Sequence, residues 1–128
     1  MSVLSVGIDL VSVGRVERML ADKGGRVLER LLTDNERSYC QSQPSPGRHV
    51  AARLAAKEAA FKALQAVDGA RNVGWREAEV TRDPHGRPEL RLHGRAVEAA
   101  TRLGVTKTFV SISHTDDNAI AMVVLSGE

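Results

Sequence analysis

The sequence predicts a mixed helix-and-strand chain in which strands joined by turns pack against one long central helix. Three observations carry this. Residues 49–67 are rich in alanine and leucine and hold no helix breaker, so they form a helix at little conformational cost. The apolar-rich residues 107–114 and 118–125 are separated only by Thr115-Asp116-Asp117, the pattern of two strands around a turn. Residues 77–82 and 89–93 flank Asp83-Pro84-His85-Gly86-Arg87-Pro88 and form a second pair, with Leu90 and Leu92 alternating on the returning strand.

Taken from the N-terminus, residues 3–13 read as a buried strand rich in Val, Ile and Leu, interrupted by Gly7 and carrying one acid, Asp9. A carboxylate in such a strand needs hydrogen bonds, a cation or a metal to compensate its burial. A turn-side aspartate accepting backbone N–H bonds and a functional acid are both open at this point. After Gly14, the apolar positions Val16, Met19 and Leu20 form one side of a short amphipathic helix that has Arg15 and Arg18 on its other side. A loop at Gly24-Gly25 leads to a helical turn or two over residues 26–32. Thr33-Asp34-Asn35-Glu36 has the spacing of a capping box and opens a third helix running through Cys40. Residues 41–47, with Pro44 and Pro46, read as a surface loop. The central helix ends near Gly69, and a last helix over residues 95–103 is stopped by Gly104.

The chain has 128 residues, 42% of them hydrophobic and 27% charged, which is one domain (1–128) with a core large enough to need no disulfide or structural metal. No apolar run approaches membrane-spanning length, and the N-terminus lacks a secretory pattern, so a cytoplasmic location with no membrane partner is expected. The single cysteine, Cys40, fits a reducing compartment and reads as a small apolar residue. Net charge is +2, and Arg15, Arg18, Lys23, Arg26 and Arg30 crowd into two adjacent short elements. Glu17, Asp22 and Glu29 dilute that face, which leaves a docking surface for an acidic partner and plain solvated surface as alternatives. Only four aromatics, Tyr39, Phe61, Trp75 and Phe109, are available to stack on bases, which argues against nucleic acid as the partner.

On the central helix, Glu58 and Lys62 are four residues apart and project from the same face. Read alone, they are an exposed ion pair worth a few tenths of a kcal/mol. Together with Asp9 they make a kit suited to a magnesium-bound phosphate ester, because Mg2+ is usually held by one or two carboxylates plus phosphate oxygens and lysine can offset the remaining charge. Ser113-His114-Thr115 adds hydroxyls and an imidazole at a strand end, again suited to phosphate oxygens.

Val6-Gly7-Ile8-Asp9-Leu10, the run from Arg53 to Leu64 and Val110-Ser111-Ile112-Ser113-His114-Thr115 together resemble the ordered signature of the 4′-phosphopantetheinyl transferases, in particular the small bacterial type that acts as holo-(acyl-carrier-protein) synthase. The likeness covers nearly the whole chain, including Leu31-Leu32-Thr33 with Glu36, the turn at residues 83–88 and the join at residues 92–96. The resemblance implies an α+β fold, mainly antiparallel sheet packed against a long central helix. It implies Mg2+-dependent transfer of 4′-phosphopantetheine from coenzyme A to a serine of an acidic apo acyl carrier protein, of fatty acid or polyketide synthesis, with release of adenosine 3′,5′-bisphosphate. By the same resemblance Asp9 and Glu58 hold the metal, and Lys62 sits by the phosphates as a further catalytic and coenzyme-binding residue. Ser113, His114 and Thr115 contact the nucleotide end, and Arg15 and Met19, joined by Arg26 and Arg30, dock the carrier. It also implies a homotrimer with active sites between subunits. The base that accepts the serine proton is open between a metal-bound water, Glu58 and Lys62.

One departure stands out. Where family members carry a Gly-Thr-Gly-like loop ahead of an aromatic, this chain has residues 65–74 before Trp75, and Arg71 becomes the candidate substitute contact. Two readings of other classes remain at this level: a binding module acting through the arginine face, which would need neither coenzyme A nor metal, and a magnesium-dependent phosphodiesterase, which would turn over coenzyme A with water.

Overall fold

The computed structural model describes residues 1–66 and 72–128. Its strands form two antiparallel sheets. β1 (Ser2–Ser12), β5 (Asn118–Gly127) and β4 (Lys107–His114) lie side by side in that order, while β2 (Ala78–Arg82) and β3 (Pro88–Leu92) form a separate hairpin. Among the described residues the helices are α1 (Val13–Lys23), α2 (Gly25–Leu31), α3 (Asp34–Gln41), α4 (Pro46–Leu64) and α5 (Gly94–Leu103), with a 3-10 turn at Trp75–Glu77.

Small residues bring α4 close to the sheet. Ala51, Ala52, Ala55, Ala56, Ala59, Ala60 and Ala63 are all buried, so the helix is covered nearly all round. β1 crosses it at Gly7, where an added Cβ would stand 1.9 Å from the Ala59 carbonyl oxygen. Ser5 Oγ donates to the Ala63 carbonyl at 2.7 Å in the same contact. This approach places residue 9 of β1 beside residues 58 and 62 of α4. On one side the helix packs with Val123 and Leu125 of β5, Val80 and Leu90 of the hairpin and Ala96 and Ala99 of α5. Its first half packs with Val13 and Val16 of α1, Leu28 and Leu31 of α2, and Cys40. Burial pushes the Cys40 thiol up to about 11, which keeps it protonated and unreactive.

Two expectations need correction. Residues 41–47 are not all loop, since α4 begins at Pro46, whose missing N–H and fixed φ suit the first turn of a helix. The helix also stops earlier than residue 67, at Leu64, where the Gln65 N–H closes the last turn on the Phe61 carbonyl; Gly69 lies outside the described residues. More consequential is β1, which is buried on one face only. Gly7 and Asp9 face α4, whereas Val6, Ile8 and Leu10 alternate outward and are exposed. Register places Ile120 and Met122 of β5 and Phe109 of β4 on that same outer face, all of them exposed.

Local signals held elsewhere. The capping box forms, with the Glu36 N–H on Thr33 Oγ1 and the Thr33 N–H on Glu36 Oε1 at 2.9 Å. Asp83 Oδ1 accepts the N–H groups of His85 and Arg87 and shapes the hairpin turn, with Gly86 at φ +82. α5 ends at Gly104, φ +88.

Glu36 does more than cap. Its carboxylate is fully buried against Lys57 Nζ at 2.7 Å and also accepts the Val80 N–H. Thr33 Oγ1 continues the network to Glu79 Oε2 at 2.6 Å, and Glu79 Oε1 meets His93 Nε2 at 2.9 Å. Burial raises the Glu79 carboxyl, but the Thr33 hydrogen bond and the His93 contact outweigh it and hold it below its ordinary 4.5. A depressed carboxylate adds stability that is complete above its unfolded pKa and is lost as pH falls through its folded value. Glu79→Gln is therefore expected to flatten the acid limb. Across roughly pH 5 to 3, its melting temperature should fall by several degrees less than the parent's in a calorimetric pH series.

Candidate active site

The acid on β1 and the acid–base pair on α4 meet at one edge of the sheet. Lys62 Nζ donates to Asp9 Oδ1 at 2.8 Å and to the Ile8 carbonyl at 3.1 Å. The expected Glu58–Lys62 ion pair does not form, because the lysine reaches across to the strand instead of along its own helix. Burial lifts the Glu58 carboxyl above the usual carboxylate range, and the neighbouring Asp9 charge lifts it further, against the opposing pull of Lys62 and Arg15. The hydrogen bond and charge of Asp9 raise the exposed Lys62 ammonium. Two carboxylates and a lysine thus share one partly open corner, with Arg15 of α1 within electrostatic range.

Ser113-His114-Thr115 ends β4, on the far side of β5 from β1. Ser113 lies in register with Ile120 and Leu10 on the outer face, and His114 with Ala119 and Val11 on the inner one, so the two side chains point to opposite faces. Thr115 Oγ1 accepts the N–H groups of Asp117 and Asn118 and shapes the turn. Within one chain, therefore, the acids and this segment do not meet.

His114 has companions that the sequence did not reveal. The His49 ring lies edge-on to it with centroids 6.0 Å apart, and His49 in turn meets Tyr39 at 5.6 Å. The Arg53 and Arg82 guanidinium groups lie over the Tyr39 ring at 4.4 and 5.0 Å. Arg53 is 3% exposed and its Nε has no hydrogen-bond partner. Burial lowers the His49 pKa, and the charges of Arg53, His114, Arg82 and Arg48 lower it further. The positive charge of this corner is that of Arg53 and Arg82, neither of which pairs with a carboxylate among the described residues, with Arg48 held by Asp116 at its rim. The one available signal was the four-residue spacing of His49 and Arg53, which sets both on one face of α4.

Two surface grooves complete the picture. One, of about 580 Å³, is lined by Met19, Lys23, Arg26, Val27, Arg30 and Leu31. It unites Met19, Arg26 and Arg30, while Arg15 stands nearer Glu58. The other, of about 510 Å³, runs between the hairpin and β4 past Arg87, Pro88, Leu90 and Ser111. Arg71, the candidate at the atypical loop, lies outside the described residues.

Comparison with known proteins decides the family. The family model of the 4′-phosphopantetheinyl transferase superfamily matches residues 5–123. The chain belongs to that superfamily. Among curated relatives, the holo-[acyl-carrier-protein] synthase of Geobacter sulfurreducens is 41% identical over 123 residues, covering 96% of this chain and 97% of the relative. That of Koribacter versatilis is 43% identical over 124 residues, covering 96% and 98%. The crystal structure of the Bacillus anthracis holo-(acyl-carrier-protein) synthase in complex with CoA (3′,5′-ADP) superposes with a TM-score of 0.79 at 32% identity, covering 98% of both chains. The Helicobacter pylori synthase in complex with coenzyme A gives 0.80 at 30% identity, covering 94% and 99%. This transferase is an enzyme of the holo-(acyl-carrier-protein) synthase type, and the α+β fold follows with it. Among the described residues, no helix is long and apolar enough to cross a membrane.

Proposed function

We propose that the enzyme transfers the 4′-phosphopantetheine group of coenzyme A to a serine hydroxyl of an acidic apo acyl carrier protein, in the presence of Mg2+, releasing adenosine 3′,5′-bisphosphate. The observation that carries this reading is the meeting of Asp9, Glu58 and Lys62 at one corner of a chain of this family. The donor set fits a hard divalent cation: two carboxylates close enough that the Asp9 charge disfavours that of Glu58, with no hydrogen bond to Glu58 among the described residues. Among those residues no group of three or more metal-ligating side chains exists, in keeping with an ion that takes its other ligands from phosphate and water. Asp9 and Glu58 would hold Mg2+, which when bound neutralises charge on the pyrophosphate.

The protein's own part is positioning and charge. The serine Oγ forms a bond to the β-phosphorus as the bond to the bridging oxygen breaks, and the departing oxygen leaves with the nucleotide. The hydroxyl proton passes to a basic oxygen at the acid pair. Lys62 offsets charge on the phosphoryl oxygens, turning its ammonium from Asp9 to phosphate. The corner of Arg53 and Arg82, with the His49 and His114 rings, suits the bisphosphate end of the nucleotide, with Ser113 and Thr115 beside it, and the groove past Arg87 and Pro88 suits the adenosine. The 580 Å³ groove has cationic walls and an apolar floor of Met19, Val27 and Leu31, matched to an acidic amphipathic helix of the carrier, with Arg15 between groove and acids.

Asp9 sits on edge strand β1, beside Glu58 of α4, and the nucleotide corner lies at the end of edge strand β4. An exposed apolar face of Val6, Ile8, Leu10, Phe109, Ile120 and Met122 joins the two edges. Further copies of this chain, three in all, would cover that face and bring one subunit's acids to another's His114. Sedimentation should return a trimer; an active monomer would remove this part of the reading.

Incubation with coenzyme A, Mg2+ and apo carrier, followed by intact-mass spectrometry, is expected to show one phosphopantetheine increment on the carrier. Bisphosphate release with no carrier present would instead make the enzyme a hydrolase. Arg26→Glu with Arg30→Glu is expected to raise KM for the carrier by about 10-fold or more while leaving KM for coenzyme A unchanged, with the effect shrinking in high salt.

A further inference from the structure

Lys57 precedes Glu58 on α4, yet it is fully buried and takes no part in the site described above. Each of its three ammonium protons has a partner at 2.7 Å: Glu36 Oε1, the Trp75 carbonyl and the Ala78 carbonyl. Both Glu36 oxygens are engaged too, accepting the Thr33 and Val80 N–H groups as well as the Lys57 ammonium. One ion pair therefore ties α4 to the start of α3, to the 3-10 turn and to β2. A buried pair of this kind loses the hydration of both charges, and well-packed apolar residues often hold a fold equally well. Stability alone does not account for it. Direction does, because an ammonium with three fixed acceptors pins the rotation of its helix, which an apolar side chain cannot do.

We propose that Lys57 and Glu36 are positioning residues of the transfer reaction. By fixing the rotation of α4 they aim Glu58, one residue and about 100° further round the helix, at Asp9. Through Ala78 and Val80 they also fix the hairpin that walls the 510 Å³ groove. α4 benefits from such a device because seven of its thirteen buried residues are alanine, and short smooth side chains resist rotation weakly. The proposal rests on the reading that Asp9 and Glu58 hold the metal, and its test keeps the two apart.

Glu36→Asp retains both charges and withdraws the carboxylate by one methylene, and Glu36→Gln with Lys57→Met removes both charges. Circular dichroism establishes folding. Binding of Mn2+ in the presence of coenzyme A is then read from the electron paramagnetic resonance signal of the free ion, with no turnover required. Folded variants are expected to bind Mn2+ about 10-fold more weakly than the parent. KM for Mg2+ should rise by a similar factor, while kcat at saturating metal falls less. A folded Glu36→Asp enzyme with parental Mn2+ affinity and KM overturns the proposal. Loss of fold in both variants overturns it as well, since the pair would then serve stability alone. Asp9→Asn is the separate control: if it binds Mn2+ as the parent does, the metal-site reading fails whatever the Glu36 variants do.

Discussion

With Glu58 replaced by glutamine, carrier modification is expected to slow by about 10² to 10³-fold, while the metal-free protein melts no lower than the parent and probes of fold are unchanged. Both halves follow from the same corner. Glutamine keeps the volume and the helix propensity of glutamate, so packing along α4 is undisturbed. It removes a charge that burial and Asp9 both oppose, as the raised Glu58 carboxyl records. A carboxyl whose folded pKa lies above its unfolded value stabilises the fold only while protonated, and that contribution is lost as pH rises through the folded value. At neutral pH the ionised Glu58 is thus a strain on the metal-free protein, which a neutral side chain relieves. The opposite holds once coenzyme A and Mg2+ are added. The parent should gain melting temperature by mass action, and Glu58→Gln should gain little. Transfer at the parental rate, or a metal-free variant that melts lower, would overturn the role assigned to Glu58.

The fold was legible where the signal is local. Thr33 and Glu36 announce a helix start by their spacing, Gly104 an end, and Asp83 to Pro88 a turn, and each forms, with Pro88 already the first residue of β3. The site was legible only as an ordered set of motifs, since nothing in the sequence spacing brings residue 9 to residue 58. What brings them together is Gly7, whose missing side chain allows β1 onto α4. Three features were not legible, for distinct reasons. The Val, Ile and Leu content of β1 suggests burial, but Val6, Ile8 and Leu10 all fall on one exposed face, and such an apolar face is equally what a sheet presents to another subunit. Helix geometry pairs Lys62 with Glu58, whereas the structure offers it a better acceptor on another element. The burial of Lys57 does not show in its residue type, because lysine is almost never fully buried. A hint was present: alanines at 55, 56, 59 and 60 surround it.

Gly7→Ala is the substitution expected to damage the fold most for the fewest atoms. Its Cβ would meet the Ala59 carbonyl oxygen at 1.9 Å, the Ala59 carbonyl carbon at 2.9 Å and the Ala63 nitrogen at 3.0 Å, all of them backbone. No rotamer can relieve a backbone clash, so strand and helix must part by roughly 1.5 Å, and the cost lies at or beyond the top of the about 1–3 kcal/mol typical of overpacking. Melting should fall by about 10 °C or more. The Ser5–Ala63 hydrogen bond sits in the same contact and should weaken with it. Gly14→Ala is the matched control, because an added Cβ there meets nothing closer than the flexible Arg18 guanidinium at 3.5 Å and the residue lies inside α1. There alanine is expected to be neutral or to stabilise by up to about 1 kcal/mol. The two substitutions are chemically identical and opposite in predicted sign, which isolates the strand–helix distance as the variable. That distance also separates Asp9 from Glu58 and Lys62. If Gly7→Ala still folds at low temperature, its transfer rate should drop with weakened Mg2+ dependence, while Gly14→Ala keeps the parental rate. Equal melting of the two variants would mean that α4 and β1 are held apart by something other than Gly7.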